Sequence, residues 1–238
     1  MNAIILAAGA GKRLAGSGWS KPKCLLPMGS VTLLDNILLS LAEAGLTRAT
    51  IVVGYRQDLL RAAAERAGLD LQFVVNDDYA DTNTIYSLHL AREAMGEDFL
   101  YFNADVLFDR RIVTRLLATQ GSALAIQTGR CAQEEVKVIA DGDGRIRRIG
   151  KDLDPALCLG EFIGVGKFCL PLMADFQEAL RYYNDQAGQR KLFFEAAVDR
   201  ICDGHRIAAV DIAPYPAIEI DTPEDLARAQ ELARTLGL

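Results

Sequence analysis

Apolar and polar positions fall into two textures along the chain. In the first half, short unbroken apolar runs alternate with segments whose apolar residues recur at helical spacing. Residues 3–7 (AIILA) read as a strand buried on both faces of a parallel sheet. Residues 33–44 follow the helical period and stop at Gly45, a natural C-terminal cap. The alternation continues with a strand at 49–53, a helix at 58–67 closed by Gly68, and a strand at 71–75. Asp81, Thr82 and Asn83 offer N-cap side chains for an amphipathic helix from Thr84, a strand follows at 99–103, and Asp109 caps a helix to about Thr119. Strand followed by helix, repeated, predicts a three-layer α/β/α fold with a mostly parallel sheet and ligands at the carboxyl ends of its strands.

From residue 123 the pattern turns to short strands: 123–127, 135–140 and 145–151, the last two joined by DGDG (141–144), a hairpin signal. Another strand, 160–168, has Glu161 at its entry. Helical periods cover 171–183 and 192–202, flanking a polar loop, and a strand follows at 207–212. At the end, Thr222 stands as N-cap, Pro223 at N1 and Asp225 at N3, a clear helix start. With no repeat, low-complexity tract or linker, residues 1–238 read as a single domain. Its first part is about 1–120, and the β-rich part from about 121 is an elaboration of the sheet.

Composition narrows the function classes. At 238 residues the chain can bury a full core, and 50% hydrophobic with 24% charged residues is ordinary for a soluble globular protein. A formal net charge of −6 argues against a nucleic-acid or anionic-membrane partner. No apolar stretch approaches the ~18 residues of a membrane span. The N-terminal apolar run lacks a basic lead and feeds directly into glycines, so it does not read as a signal peptide, and a cytoplasmic location is expected. The five cysteines are odd in number and contain no C-x-x-C pair, so reduced thiols are expected.

Against that acidic background, the first 34 residues carry Lys12, Arg13, Lys21 and Lys23 and no Asp or Glu. The segment LAAGAGKRL (6–14) follows the first strand and precedes KPKCLLPMG (21–29). A dinucleotide fingerprint would need a third glycine where Leu14 stands, and a P-loop would need Gly at Leu6 and Ser or Thr at Arg13, so neither fits. What remains is a glycine turn with Arg13 and, about ten residues on, Lys23, a pair suited to neutralising a triphosphate from two sides. Asp105, just past the end of the strand at 99–103, is costly there without a cation or donor, and so invites a metal; a turn aspartate is the plainer alternative.

These motifs resemble the L-A-A-G-x-G-x-R-[LM] and P-K-x-L signature of the sugar-phosphate nucleotidyltransferase superfamily, and the similarity runs to the C-terminus. The resemblance implies a Rossmann-like nucleotidyltransferase fold with a nucleoside triphosphate lying across Leu6, Ala7, Ala8, Gly9 and Gly11, and with Arg13 and Lys23 gripping its phosphates. It makes Asp105 the Mg²⁺ ligand and, through the I-D-T-P-E-D-L form of 220–226, makes Asp221 the second; on its own Asp221 would serve only the helix dipole. The run Y-A-D-x-N-x-x-Y-S-L (79–88) is similar to the phosphocholine cytidylyltransferase branch, with Thr84 where a second Asn would stand. By that similarity Asn83 and Ser87 read the base or ribose, and CTP is the favoured donor.

The β-rich part resembles the family's acceptor side, which puts Lys137, Lys151, Glu161 and Phe193 toward a small phosphorylated acceptor. A solvated β-edge lysine is the competing explanation for Lys137 and Lys151. A choline headgroup would call for aromatic faces, for which Tyr86, Phe162, Tyr182, Tyr183, Phe193 and Phe194 are candidates, while the only tryptophan, Trp19, is in the N-terminal loop. The KDL at 151–153 also resembles inositol-phosphate cytidylyltransferases. The implied activity is Mg²⁺-dependent transfer of CMP from CTP to a phosphocholine-like phosphomonoester or phosphonate. A hexose-1-phosphate nucleotidyltransferase and a non-catalytic nucleotide-sensing subunit are the alternatives. His89 and His205 are expected to be structural.

Overall fold

A computed structural model describes residues 1–11, 13–14, 18–186 and 188–238. Lys12, one member of the basic cluster, lies outside them. The chain begins with β1 (Asn2–Ala7), a hairpin of β2 (Pro27–Met28) and β3 (Val31–Thr32), α1 (Leu33–Glu43), β4 (Arg48–Val53), α2 (Gln57–Ala64) and β5 (Asp70–Val75). It continues through α3 (Thr84–Leu90), β6 (Phe99–Asn103), β7 (Val106–Phe108) and α4 (Arg111–Ala118). The β-rich part holds β8 (Ser122–Thr128), β9 (Lys137–Ala140), β10 (Ile146–Gly150) and β11 (Gly160–Phe168). The remainder is α5 (Met173–Asp185), α6 (Glu195–Ile201), β12 (Ile207–Asp211), β13 (Ala217–Glu219) and α7 (Pro223–Leu236).

Nine strands form one mixed sheet in the order β10-β9-β11-β6-β1-β4-β5, with β8 beside β11 and β12 beside β8. The β6-β1-β4-β5 portion is parallel, and β11 enters antiparallel between β6 and β8. Strand β1 shows why the run AIILA must be apolar throughout. Ile4 and Leu6 pack with α3, α5 and α6, whereas Ala3, Ile5 and Ala7 pack with α1, α2 and α4. Period-two alternation thus serves two cores, one on each face, and the fold is three-layered. The register of β11 breaks between Phe162 and Gly166, at Gly164. There φ is +76°, and a Cβ would come within 2.8 Å of Asn103 Nδ2, so only glycine fits.

A third, smaller core joins Leu14, Leu26, Met28, Leu107 and Ile220 to Ala229 and Ala233 of α7. Helix α7 starts on the capping box expected from the sequence, Thr222 and Asp225 exchanging bonds around Pro223. That cap fixes where the preceding residues stop. β13 pairs with β7, Glu219 opposite Val106, and Ile220 N–H donates to Asp105 O at 3.0 Å. The C-terminal segment is thereby tied to the rim at the end of β6.

One element differs from expectation in a way that matters for the site. The helix expected over 192–202 begins only at Glu195. Residues 190–194 instead cap α3: Asn83 N–H donates to Arg190 O, Ile85 N–H to Leu192 O, and Phe194 N–H to Thr84 Oγ1 at 2.9 Å. Those backbone groups are engaged and cannot join a helix of their own. Similarly, α5 begins at Met173, after a single 3₁₀ turn at Leu170–Leu172.

Candidate active site

The parallel strands end on one rim, where Leu6 is paired with Asn103 and Ala104 N–H donates to Leu6 O. A cleft opens there, lined by Leu6, Gly9, Arg13, Asn83, Asp105, Phe193 and Asp221. Gly11 has φ +59°, and a Cβ on it would stand 3.2 Å from Lys23 Cβ, which explains the glycine in this turn. Lys23, mostly buried, donates from Nζ to Asp105 Oδ2 at 2.9 Å and to Asp221 Oδ1 at 2.8 Å. Arg13 Nη1 donates to Asp221 Oδ2 at 2.7 Å. The four charged side chains singled out in the sequence therefore converge on one point.

Their electrostatics follow from partial burial. Desolvation alone would lower the Lys23 pKa, but the Asp105 and Asp221 carboxylates override it and hold the ammonium charged. Desolvation would likewise raise Asp221, yet Lys23 and Arg13 keep it below the usual carboxylate range. Arg13 is exposed, so its pair with Asp221 contributes little to stability and can be exchanged at small cost.

Sequence reading missed a third carboxylate. Glu219 brings an oxygen to within 4.8 Å of oxygens from Asp105 and Asp221. Glu219 as a whole is exposed, but crowding about its carboxyl, then Asp105 and Asp221, push its pKa up to about 8. A signal existed: Glu219 and Asp221 stand two apart in an extended segment, so their side chains share a face. Three clustered carboxylates, one forced toward its neutral form, make a hard oxygen donor set that fits Mg²⁺.

Beyond Gly9 the cleft is lined by Ala8, Asn76, Thr82, Asn83 and Ser87. Ser87 is buried and its Oγ accepts from Asn76 Nδ2 at 3.0 Å; Asn76 also donates to Thr82 Oγ1. Asn76, which the motif reading passed over, is buried, and its Oδ1 has no partner among the described residues. Asn83 is the α3 N-cap, its Oδ1 accepting from Thr84 N–H at 2.8 Å. Thr84, the departure from the phosphocholine branch, anchors Phe194 instead.

On the acceptor side the expectations divide. Lys151 Nζ lies 4.5 Å from the centre of the Phe193 ring, and both residues line the cleft. Glu161 lies in an adjoining hollow with Lys151 and Glu219; burial and Glu135 push its pKa up to about 7. Lys137 requires a correction. It is fully buried, and Nζ donates to the carbonyls of Gln133, Glu135 and Lys151 at 2.7, 3.1 and 2.6 Å. All three ammonium hydrogens are used, so this lysine ties two loops together and presents nothing to an acceptor.

The aromatic candidates are mostly engaged elsewhere. Phe162 and Phe194 are core residues, Tyr86 lies under Arg190, and Tyr182 under Arg200. His205 pairs with Asp175, and burial lowers the His89 pKa, so neither histidine joins the cleft. The five cysteines are unpaired. No helix among the described residues is long and apolar enough to cross a membrane.

A family model, the MobA-like NTP transferase domain, matches residues 3–198. The chain belongs to that family. It is 29% identical over 239 residues to a CMP-5'-(3-aminopropyl)phosphonate synthase from Streptomyces rubellomurinus, covering 96% of this chain and 38% of that protein. A 2-aminoethylphosphonate cytidylyltransferase from Lancefieldella rimae is 27% identical over 240 residues, covering 98% of this chain and 90% of that protein. The chain spans less than two thirds of the length of several curated relatives it matches. In fold, this NTP transferase domain is similar to the CTP:phosphocholine cytidylyltransferase from Streptococcus pneumoniae. The TM-score is 0.82 at 23% identity, over 97% of this chain and 98% of that one. The resemblance read from the glycine loop and the Tyr-Ser-Leu segment is thereby borne out at the level of family and fold.

Proposed function

We propose that the protein is a cytidylyltransferase that moves CMP from CTP to a small phosphomonoester or phosphonate and releases pyrophosphate. The observation that carries this is the meeting of Arg13 and Lys23 with Asp105 and Asp221 at the sheet rim, beside a cleft lined by Asn83 and Ser87. The relatives named for phosphonate chemistry support the acceptor class. An acceptor phosphoryl oxygen attacks the α-phosphorus in line. The bond from that phosphorus to the α,β-bridging oxygen breaks, and pyrophosphate leaves with the electron pair. No side-chain nucleophile takes part; positioning and charge cancellation carry the reaction.

Each residue then has a task. The backbone of residues 6–9 and Gly11 leaves room for the triphosphate, and the Asn76, Asn83 and Ser87 corner takes the base and ribose. Lys23 stabilises charge building on the α-phosphate, and Arg13 exchanges Asp221 for the departing pyrophosphate. Mg²⁺, when held by Asp105 and Asp221 with Glu219 beside them, supplies further neutralisation of the phosphate oxygens.

The test is pyrophosphate release with CTP, UTP, GTP, ATP and dTTP, each against a panel of phosphomonoesters and phosphonates, with Mg²⁺ and with chelator. CTP and Mg²⁺ should both be required. Productive UTP or dTTP with a hexose 1-phosphate would move the assignment to NDP-sugar synthesis. Thermal stabilisation by CTP with no pyrophosphate from any acceptor would make the protein a nucleotide sensor.

A further inference from the structure

Resting on the cytidylyl-transfer reading, we propose that the acceptor carries a primary ammonium group a few bonds from its phosphate or phosphonate, and that Glu195 is the residue that binds it. Four carboxylates line the cleft: Asp105, Asp221, Glu219 and Glu195. The first two are paired with Lys23 and Arg13, and Glu219 stands with them as a third oxygen donor. Glu195 is different. It is 4% exposed, it forms no salt bridge among the described residues, and its buried Oε2 has no hydrogen-bond partner among them.

A buried carboxylate without a cation is expensive unless something entering the cleft compensates it. Desolvation accordingly pushes the Glu195 pKa up to about 7, with a hydrogen bond from its own backbone N–H and then Lys151 drawing it partly back; neither is a salt-bridged cation. Lys151 forms no salt bridge among the described residues, and its ammonium is held over the Phe193 ring. Lys151 and Glu195 thus offer separate partners for a molecule with an anionic end and a cationic end. A hexose 1-phosphate or inositol phosphate would give the carboxylate no counter-charge.

The same cleft speaks against a quaternary ammonium. Such a group is held by several aromatic faces rather than by hydrogen bonds. Phe193 and Tyr79 are the aromatic residues lining the cleft; Lys151 occupies a face of Phe193, and Tyr79 meets Tyr55 edge to face. A primary ammonium, with three hydrogens to donate, matches a lone carboxylate oxygen better.

The experiment measures kcat and KM with Mg²⁺ and CTP for 2-aminoethylphosphonate, its 2-hydroxyethyl analogue, phosphocholine, inositol 1-phosphate and glucose 1-phosphate. It uses wild type and Glu195→Gln, with stabilisation by Mg²⁺ and CTP confirming that the variant is folded. Wild type should prefer the amine over its hydroxyl analogue by about 10² in kcat/KM. Glu195→Gln should erase that preference by raising KM for the amine about 10²-fold, leaving the KM for CTP unchanged. A wild-type preference for phosphocholine, inositol 1-phosphate or glucose 1-phosphate overturns this acceptor assignment and leaves cytidylyl transfer standing. So does a Glu195→Gln loss equal across all acceptors. Absence of pyrophosphate with every acceptor overturns the parent reading and this one with it.

Discussion

The two halves of the cleft treat buried charge in opposite ways. On the nucleotide side, Lys23 meets two carboxylates and Asp221 meets two cations, so the charges of Arg13, Lys23, Asp105 and Asp221 have charged partners that a phosphate or metal can replace. On the acceptor side, Lys137 is more deeply buried than Lys23 but is clasped by three backbone carbonyls, and Glu195 has no partner on Oε2. A buried lysine is therefore not a site by virtue of burial. Carboxylate partners leave it free to exchange, whereas carbonyls fixed in the chain make it a structural tie.

Three substitutions would break this comparison if it is wrong. Asp105→Ala should lower pyrophosphate release by roughly 10³ or more, since it removes a donor from the ion site. The melting temperature should stay within a few degrees because Lys23 retains Asp221. Near-normal turnover would remove Asp105 from the reaction. Lys23→Ala should lower kcat by roughly 10² or more, again with the fold intact, as loss of one stabiliser of the developing charge. Lys137→Met should do the reverse. Leaving the carbonyls of Gln133, Glu135 and Lys151 without their donor should cost about 3–4 kcal/mol, or roughly 10 °C in Tm, while kcat of the folded fraction changes little. A Lys137 variant of normal Tm and poor turnover would return this residue to the acceptor site.

The same contrast explains what the sequence disclosed. Arg13, Lys23, Asp105 and Asp221 sit in or beside turns whose glycines, capping residues and strand ends leave local marks, so their convergence could be anticipated. The succession of strands and helices could be foreseen where alternation was clean, as in β1, β4, β5 and β6, though not their order in the sheet or the short β2–β3 hairpin, and the hairpin of β9 and β10 was marked by DGDG. Glu219 was legible in principle from its spacing to Asp221. Glu195 and Asn76 were not, because a carboxylate or amide becomes notable only when long-range packing buries it without a partner. Residues 192–194 were assigned to a helix for a related reason: the apolar period continues through Phe193 and Phe194, and nothing local reveals that α3 claims their backbone. Lys137 deceived in the other direction, since no local feature distinguishes a lysine facing ligand from one facing carbonyls.

The smallest expected effect sharpens the contrast most directly, through pH. In the unfolded chain Glu195 titrates near 4.5, and in the fold near 7, so the native state binds its proton more tightly. Stability from this group is present in full below about pH 4.5, declines as pH rises through 7, and is level above. The groups that act on it are its own backbone N–H and Lys151, which favour the carboxylate, and Tyr101, whose own pKa is raised in part by Glu195. The loss amounts to about 3 kcal/mol across the window. Glu195→Gln mimics the neutral acid, so by urea denaturation it should equal wild type near pH 4.5 and exceed it by about that margin at pH 8. Saturating an ammonium-bearing acceptor should recover part of the deficit in wild type and none in the variant. If the two proteins respond to pH identically, the Glu195 carboxylate is already charge-compensated in the fold and the acceptor half does not differ from the nucleotide half in the way described.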